Sequence, residues 1–218
     1  LRNLCRTRSD WCIVDAFLLE GTASAILRAG GQDDDEPPAL AALARAFLGP
    51  NGVTIVPTLR TPGEVYRIHG EWRIALKAGL PLERKAFVLA HELAEWWLAT
   101  RERYVGEDVE DAANYVAAAI LTPPRAFTRA IRRHGRDFSA LARAFRVTET
   151  HAALREAEVH DLPRAVLAPV RVRVRGSVQW PPEEEIRRLA RTGGPGIVSA
   201  RLRDDPRRLV LDVQAALK

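Results

Sequence analysis

The sequence predicts an α+β fold: a small antiparallel sheet leading into a central helix, then a helical pair and a small C-terminal β-α-β-β unit. Three observations carry this reading. A largely apolar segment from Leu82 to Leu98 encloses Ala90-His91-Glu92-Leu93-Ala94-Glu95, alternating stretches precede it, and Val170-Arg171-Val172-Arg173-Val174-Arg175 alternates strictly after Pro163. With 218 residues, 47% of them apolar, the chain can bury a real core. We divide it into an N-terminal extension and linker (1–37), a central domain (38–160) and a C-terminal unit (161–218).

Each element follows from local chemistry. The run from Trp11 to Leu19 is broken by Asp15, so with Ala23-Ser24-Ala25 it imitates a signal peptide without the uncharged core of one. No segment reaches the roughly 18 uncharged apolar residues of a membrane span, so no membrane role and a cytoplasmic location are expected. Cys5 and Cys12 read as free thiols. The stretch from Gly30 to Pro38 is a polar, Pro-ended linker. Residues 38–48 repeat Leu40, Leu43, Ala44 and Phe47 on one helical face, closed by Gly49-Pro50-Asn51-Gly52. A strand from Val53 to Leu59 follows. Val65 to Ile68 and Trp72 to Leu76 then flank a turn at His69-Gly70-Glu71, placing Trp72, Ile74 and Leu76 on one face. An exposed edge of that hairpin either takes an extended peptide by strand addition or simply covers the next helix. That helix spans about Leu82 to Arg101, with Ala86, Leu89, Ala90, Leu93 and Trp97 in a stripe that marks it as buried.

From Asp108 an Ala-rich helix runs to Pro123-Pro124, with Glu110, Asn114, Ala117 and Leu121 on one face. Residues 138–158 have a helix-turn-helix cadence with Thr148 as N-cap. Glu149, Glu156 and Glu158 oppose phosphate on its second helix, so packing or partner recognition is favoured over DNA reading there. A helix at Pro182–Arg191 and a hairpin across Arg203-Asp204-Asp205-Pro206 complete the C-terminal unit.

The chemistry sits on the apolar helix. His91 and Glu95 lie one turn apart and project together, with Glu92 about 100° round the same rim. In the H-E-x-x-H pattern two histidines bind zinc and the glutamate is the general base; here a carboxylate, itself a competent ligand, holds the last position. Small alanines let the second helix approach closely, so Glu110 near its start supplies a third ligand. Buried His and Glu without partners are costly, which favours ligand roles over a surface pairing of Glu95 or Glu92 with arginine. Neutral His91 with two carboxylates cancels the charge of a dication, which slows hydrolysis or favours manganese or iron over zinc. Tyr66, His69, Tyr104 and Tyr115 are candidate oxyanion donors.

The two segments resemble the ImmA/IrrE metallopeptidases, a zincin-like family. Ala90-His91-Glu92-Leu93 matches its first motif, and Glu110, Ala113, Asn114, Ala117, Ala118, Leu121 and Pro123 match its second. The usual second histidine is Glu95 here, and the preceding glycine is Ala94. The resemblance covers about residues 38–158 and implies a zincin-like fold, His91, Glu95 and Glu110 as ligands, Glu92 as base, zinc (alternatively manganese or iron), and a protein substrate such as an Xre-type helix-turn-helix repressor. A metal-dependent endopeptidase is therefore expected. The alternatives are an inactive homologue acting as a protein-binding module, and a DNA-binding regulator. The net charge of +5 invites the last, but only Lys77, Lys85 and Lys218 of the 33 basic residues are lysine, acids are interspersed, and no basic block stands out.

Overall fold

The computed structural model describes residues 13–102 and 107–159 and the strand segments 164–167, 172–175, 196–202 and 209–215. The fold is α+β, as expected. Its residues fall into two compact units, Leu1–Arg133 with Ala144–Val147, and His134–Arg143 with Thr148–Lys218.

The first unit opens with a helix that the sequence reading did not give, α1 (Ile13–Ala29). Its spacing explains it: Leu19, Ala23, Ile26 and Leu27 fall on one face and are buried. The polar linker after it is tied down. Gln32 clasps Ala39 through two 2.9 Å hydrogen bonds, one donated and one accepted by its side chain. Asp34 and Asp35 pair with Arg125 and Arg129 at 3.6 and 2.9 Å. Those arginines belong to α5 (Pro124–His134), also not anticipated: Pro123-Pro124 stops the preceding helix, yet Pro124 opens the next at the first helical position, where no N–H is required.

Helix α2 (Leu40–Leu48) buries Leu43 and Ala44 and leads to β1 (Val53–Val56). That strand ends earlier than the sequence suggests, because Pro57 has no N–H for the ladder. The hairpin of β2 (Gly63–Ile68) and β3 (Glu71–Lys77) forms in antiparallel register, Val65 opposite Ile74. Its two turn residues, His69 and Gly70, both adopt positive φ (51° and 85°), the geometry that matches strand twist. β1 joins β3 in parallel, so the sheet is mixed and not antiparallel throughout as expected; the order is β1-β3-β2 with β2 at an edge. Ile74 and Leu76 are buried as the alternation predicts, and Trp72 stays half-buried beneath Arg67.

Helix α3 (Leu82–Trp97) buries Val88, Leu89, Ala90, Leu93, Ala94 and Trp96. At its C-terminal end Phe47 of α2 packs against Trp96 and Trp97, ring centroids 5.4 and 5.6 Å away. The predicted extension to Arg101 is a π-helical turn, Leu98–Glu102, stitched by the Thr100 hydroxyl donating to the Trp96 carbonyl at 2.6 Å. Helix α4 (Glu107–Leu121) packs against both α3 and α1. Ala112, Ala113, Ala117 and Ala119 are buried along it, so small side chains set the close spacing. Tyr115 donates to Glu20 of α1 at 3.1 Å.

Asp137 caps α6 (Phe138–Phe145) by accepting the Ala140 N–H, and in the second unit Thr148 caps α7 (Glu149–Val159) by accepting the His151 N–H at 3.1 Å, the cap expected there. A four-stranded antiparallel sheet follows, ordered β5 (Val172–Arg175), β4 (Arg164–Leu167), β6 (Gly196–Leu202), β7 (Leu209–Ala215). β4, a short apolar run after Pro163, was not anticipated; the expected β5 and β6–β7 pairing are present. The helix expected at Pro182–Arg191, the turn at Arg203–Pro206, Cys5 and Cys12 lie outside the described residues. Among the described residues no helix is long and apolar enough to cross a membrane.

Close packing of α4 has a measurable consequence. Ala117 is fully buried, so Ala117→Leu overpacks the helix interface and should lower stability by about 1–3 kcal/mol. A reduced urea midpoint with an unchanged slope is the expected result; an unchanged midpoint would mean the interface has room to spare.

Candidate metal centre

One rim of α3 carries the ionisable side chains. His91 Nε2 lies 3.9 Å from Glu95 Oε2 on the next turn and 3.5 Å from Glu110 Oε2, delivered by α4. Ligand atoms of His91, Glu92 and Glu95 all lie within 4.8 Å of one another. Phe87 stacks on the imidazole face, with ring centroids 6.4 Å apart. Beside them opens a cavity of about 370 Å³ walled by α3, by Glu110 and Asn114 of α4, and by Gly63, Glu64 and Val65 of β2.

Glu92 is buried under β2, only 6% exposed. This burial requires glycine at position 63. A Cβ there would stand 2.3 Å from Val88 Cγ1 and 2.7 Å from Glu92 Oε1, so any side chain would displace Val88 and the Glu92 carboxyl or the strand itself. Burial is also the main reason the Glu92 carboxyl is pushed up from 4.5 to about 7. The neighbouring charge of Glu95 adds to this, as do Glu110 and Glu64, while a hydrogen bond from the Val65 N–H pulls the other way.

The donor set fits a divalent cation. His91 Nδ1 is buried with no hydrogen-bond partner, while Nε2 faces two carboxylates, so the ring is oriented by position rather than by a protein hydrogen bond. One imidazole nitrogen among carboxylate oxygens suits zinc, manganese or iron. The carboxylates repel one another in a partly dry site, and a bound dication converts that repulsion into attraction.

All four residues singled out by the sequence, His91, Glu92, Glu95 and Glu110, are therefore brought together. The oxyanion candidates are not. Tyr66 and His69 do not line the cavity, and Tyr115 is engaged with Glu20; Tyr104 lies outside the described residues. The cavity instead recruits Asn114, one turn after Glu110, and Gly63, Glu64 and Arg84. Asn114 was legible as a neighbour of Glu110 on one helical face. The others depend on how β2 and α3 pack, which no local pattern encodes.

A buried carboxyl on an H-E-x-x-E helix, a facing carboxylate from a second helix and a flanking edge strand are the features of a zincin-like fold. Residues 52–155 match the family model Peptidase M78, the IrrE N-terminal-like domain, which shows the resemblance to the ImmA/IrrE family that the two motifs carry. A solved structure described as a Mycobacterium tuberculosis transcriptional regulator is similar with a TM-score of 0.56 and 18% identity, over 75% of this chain and 57% of that one. At that identity the likeness concerns the fold, and this chain spans little more than half of that protein. No curated protein sequence matches the chain.

The buried carboxyl gives a pH signature in metal-free protein. Below about pH 4.5 Glu92 is protonated in both folded and unfolded states and costs nothing. As pH rises towards 7 the unfolded chain ionises and the fold does not, so stability falls, and the loss is complete above about 7. Glu92→Gln should therefore be more stable than the parent at pH 8, by at most on the order of 3 kcal/mol, with the gap closing near pH 4. Denaturant titrations in chelator at both pH values check this; a constant gap would assign the difference to packing.

Proposed function

We propose that the first unit is a metal-dependent endopeptidase that hydrolyses a peptide bond in a protein substrate, with an Xre-type helix-turn-helix repressor as the substrate class. One observation carries this reading: His91, Glu95 and Glu110 converge at an open cavity whose wall contains a buried carboxyl, Glu92, beneath an edge strand.

His91, Glu95 and Glu110 would hold the ion, zinc in the first instance, or manganese or iron given two anionic ligands. When bound, the metal supplies Lewis acidity, polarising the scissile carbonyl and making water more acidic. Glu92 takes the proton of the attacking water and hands it to the leaving amine. A carboxyl whose pKa sits near neutrality is suited to both transfers. β2 can orient an extended substrate by strand addition along the cavity, next to Glu92. Asn114 offers an amide donor on the α4 side. A repressor substrate would place the reaction in the cytoplasm.

A second reading also has support. Glu95 stands where the family has histidine, and the Glu110 side chain is 66% exposed, which fits a loosened site retained for binding rather than catalysis. Metal stoichiometry separates the two. Protein purified without chelator should contain one equivalent of transition metal, lost in Glu110→Ala; metal-free protein that also fails to take up Zn²⁺ or Mn²⁺ favours the binding module.

The catalytic assignment has its own test. Glu92→Gln should retain the metal while cleavage falls at least about a hundredfold, the scale of one general acid–base group. Undiminished cleavage would remove Glu92 from that role.

A further inference from the structure

We propose that Arg84 is a specificity-determining residue that recognises a carboxylate of the substrate two or three residues from the scissile bond. This rests on the peptidase reading above and names the chemistry the cavity selects. Among the residues lining the cavity, Glu64, Glu92, Glu95 and Glu110 are acidic, and Arg84 is the only arginine or lysine. It lies seven residues before His91, close to two full turns, so both side chains share a face of α3. The guanidinium forms no ion pair among the described residues. It rests instead 5.9 Å over the Phe87 ring, and Phe87 in turn stacks on His91. One ring thus links the cation to the centre and leaves the in-plane N–H donors open to a bidentate partner.

Helix energetics do not account for this arginine. The first turn of a helix disfavours a cation, because the macrodipole is positive there. A residue that opposes its local preference with no ion pair among the described residues, and only an aromatic face beneath it, is better explained by a ligand. An anionic ligand is the complementary one, and the neighbouring carboxylates keep it away from the other walls. Seven residues of helix span about 10 Å, which is about three residues of extended chain and fewer once the reach of the arginine is counted. The carboxylate is an Asp or Glu side chain or a free C-terminus; these share one chemistry.

The test uses the metal-loaded full chain and short fluorescein-labelled peptides in matched sets: Glu or Gln at each position, with free or amidated C-termini. Binding is read by anisotropy on Glu92→Gln, and cleavage by mass spectrometry on the parent. The proposal expects the peptide that carries the recognised carboxylate, as a Glu side chain or a free C-terminus, to bind roughly fivefold to tenfold more tightly than its Gln or amidated twin at low salt. That preference should vanish in Arg84→Ala and reverse towards Lys peptides in Arg84→Glu, with circular dichroism unchanged. A preference for free over amidated C-termini, shared by Glu and Gln peptides, identifies the terminal carboxylate as the ligand; a preference for Glu that survives amidation identifies the side chain. Acidic preference without cleavage keeps the role of Arg84 in recognition and overturns the peptidase reading. Cleavage with equal affinity for Glu and Gln peptides and for free and amidated C-termini, unchanged in Arg84→Glu, overturns the role of Arg84 and leaves the peptidase reading standing. Neither binding nor cleavage overturns both.

Discussion

Everything in the first unit is conditioned by one unfavourable juxtaposition: carboxylates gathered around a single imidazole on the rim of a mostly buried helix. Glu92, Glu95 and Glu110 repel one another, and Glu92 is removed from water as well. Such a cluster persists only if the surrounding packing holds it. The supply is visible on α3 itself, where Leu89, Ala90, Leu93, Ala94 and Trp96 are buried on the faces away from the cavity. At roughly 1.5–3 kcal/mol for each large apolar side chain buried, these contacts exceed the penalty of one desolvated carboxyl.

Two small-residue devices turn that tolerance into a site. The alanines of α4 bring Glu110 to within 3.5 Å of His91, a distance that bulkier side chains at the helix interface would lengthen. Gly63 does the same for β2, setting the Val65 N–H against Glu92 and closing the cavity on that side. Neither residue type carries chemistry, yet together they fix where the chemistry occurs. The geometry of the site depends as much on missing side-chain volume as on the ionisable groups.

This division explains what the sequence disclosed. His91, Glu92 and Glu95 were legible because helical periodicity alone puts them on one rim, and Glu110 because a second periodic segment with small residues implied a neighbouring helix. The β2–β3 hairpin was legible through its alternation and turn. α1 was missed because Asp15 and Glu20 interrupt its apolar run, and α5 because a Pro-Pro pair marks an end as readily as a beginning. β4 is too short to show a period. Gly63 and Arg84 were missed for a different reason. Their importance lies in the approach of β2 to α3 and in what shares the cavity, both properties of tertiary packing.

The replacement of a family histidine by Glu95 has an effect beyond the metal's charge. With histidine there, the apo site would hold one carboxylate fewer and the burial of Glu92 would meet less repulsion. With glutamate, and with the ligand set we propose, metal-free and metal-bound states would differ more in electrostatic energy, because the same carboxylates that repel without the ion would become its ligands with it. Binding free energy and folding free energy are then coupled through α3, α4 and β2, which all contribute to the site. A metal-binding site of this composition would make the fold report on metal occupancy more steeply than the histidine form. In the site we propose, Glu95 would exchange Lewis acidity, which a second anionic ligand weakens, for a stronger dependence of the domain's stability on its ion.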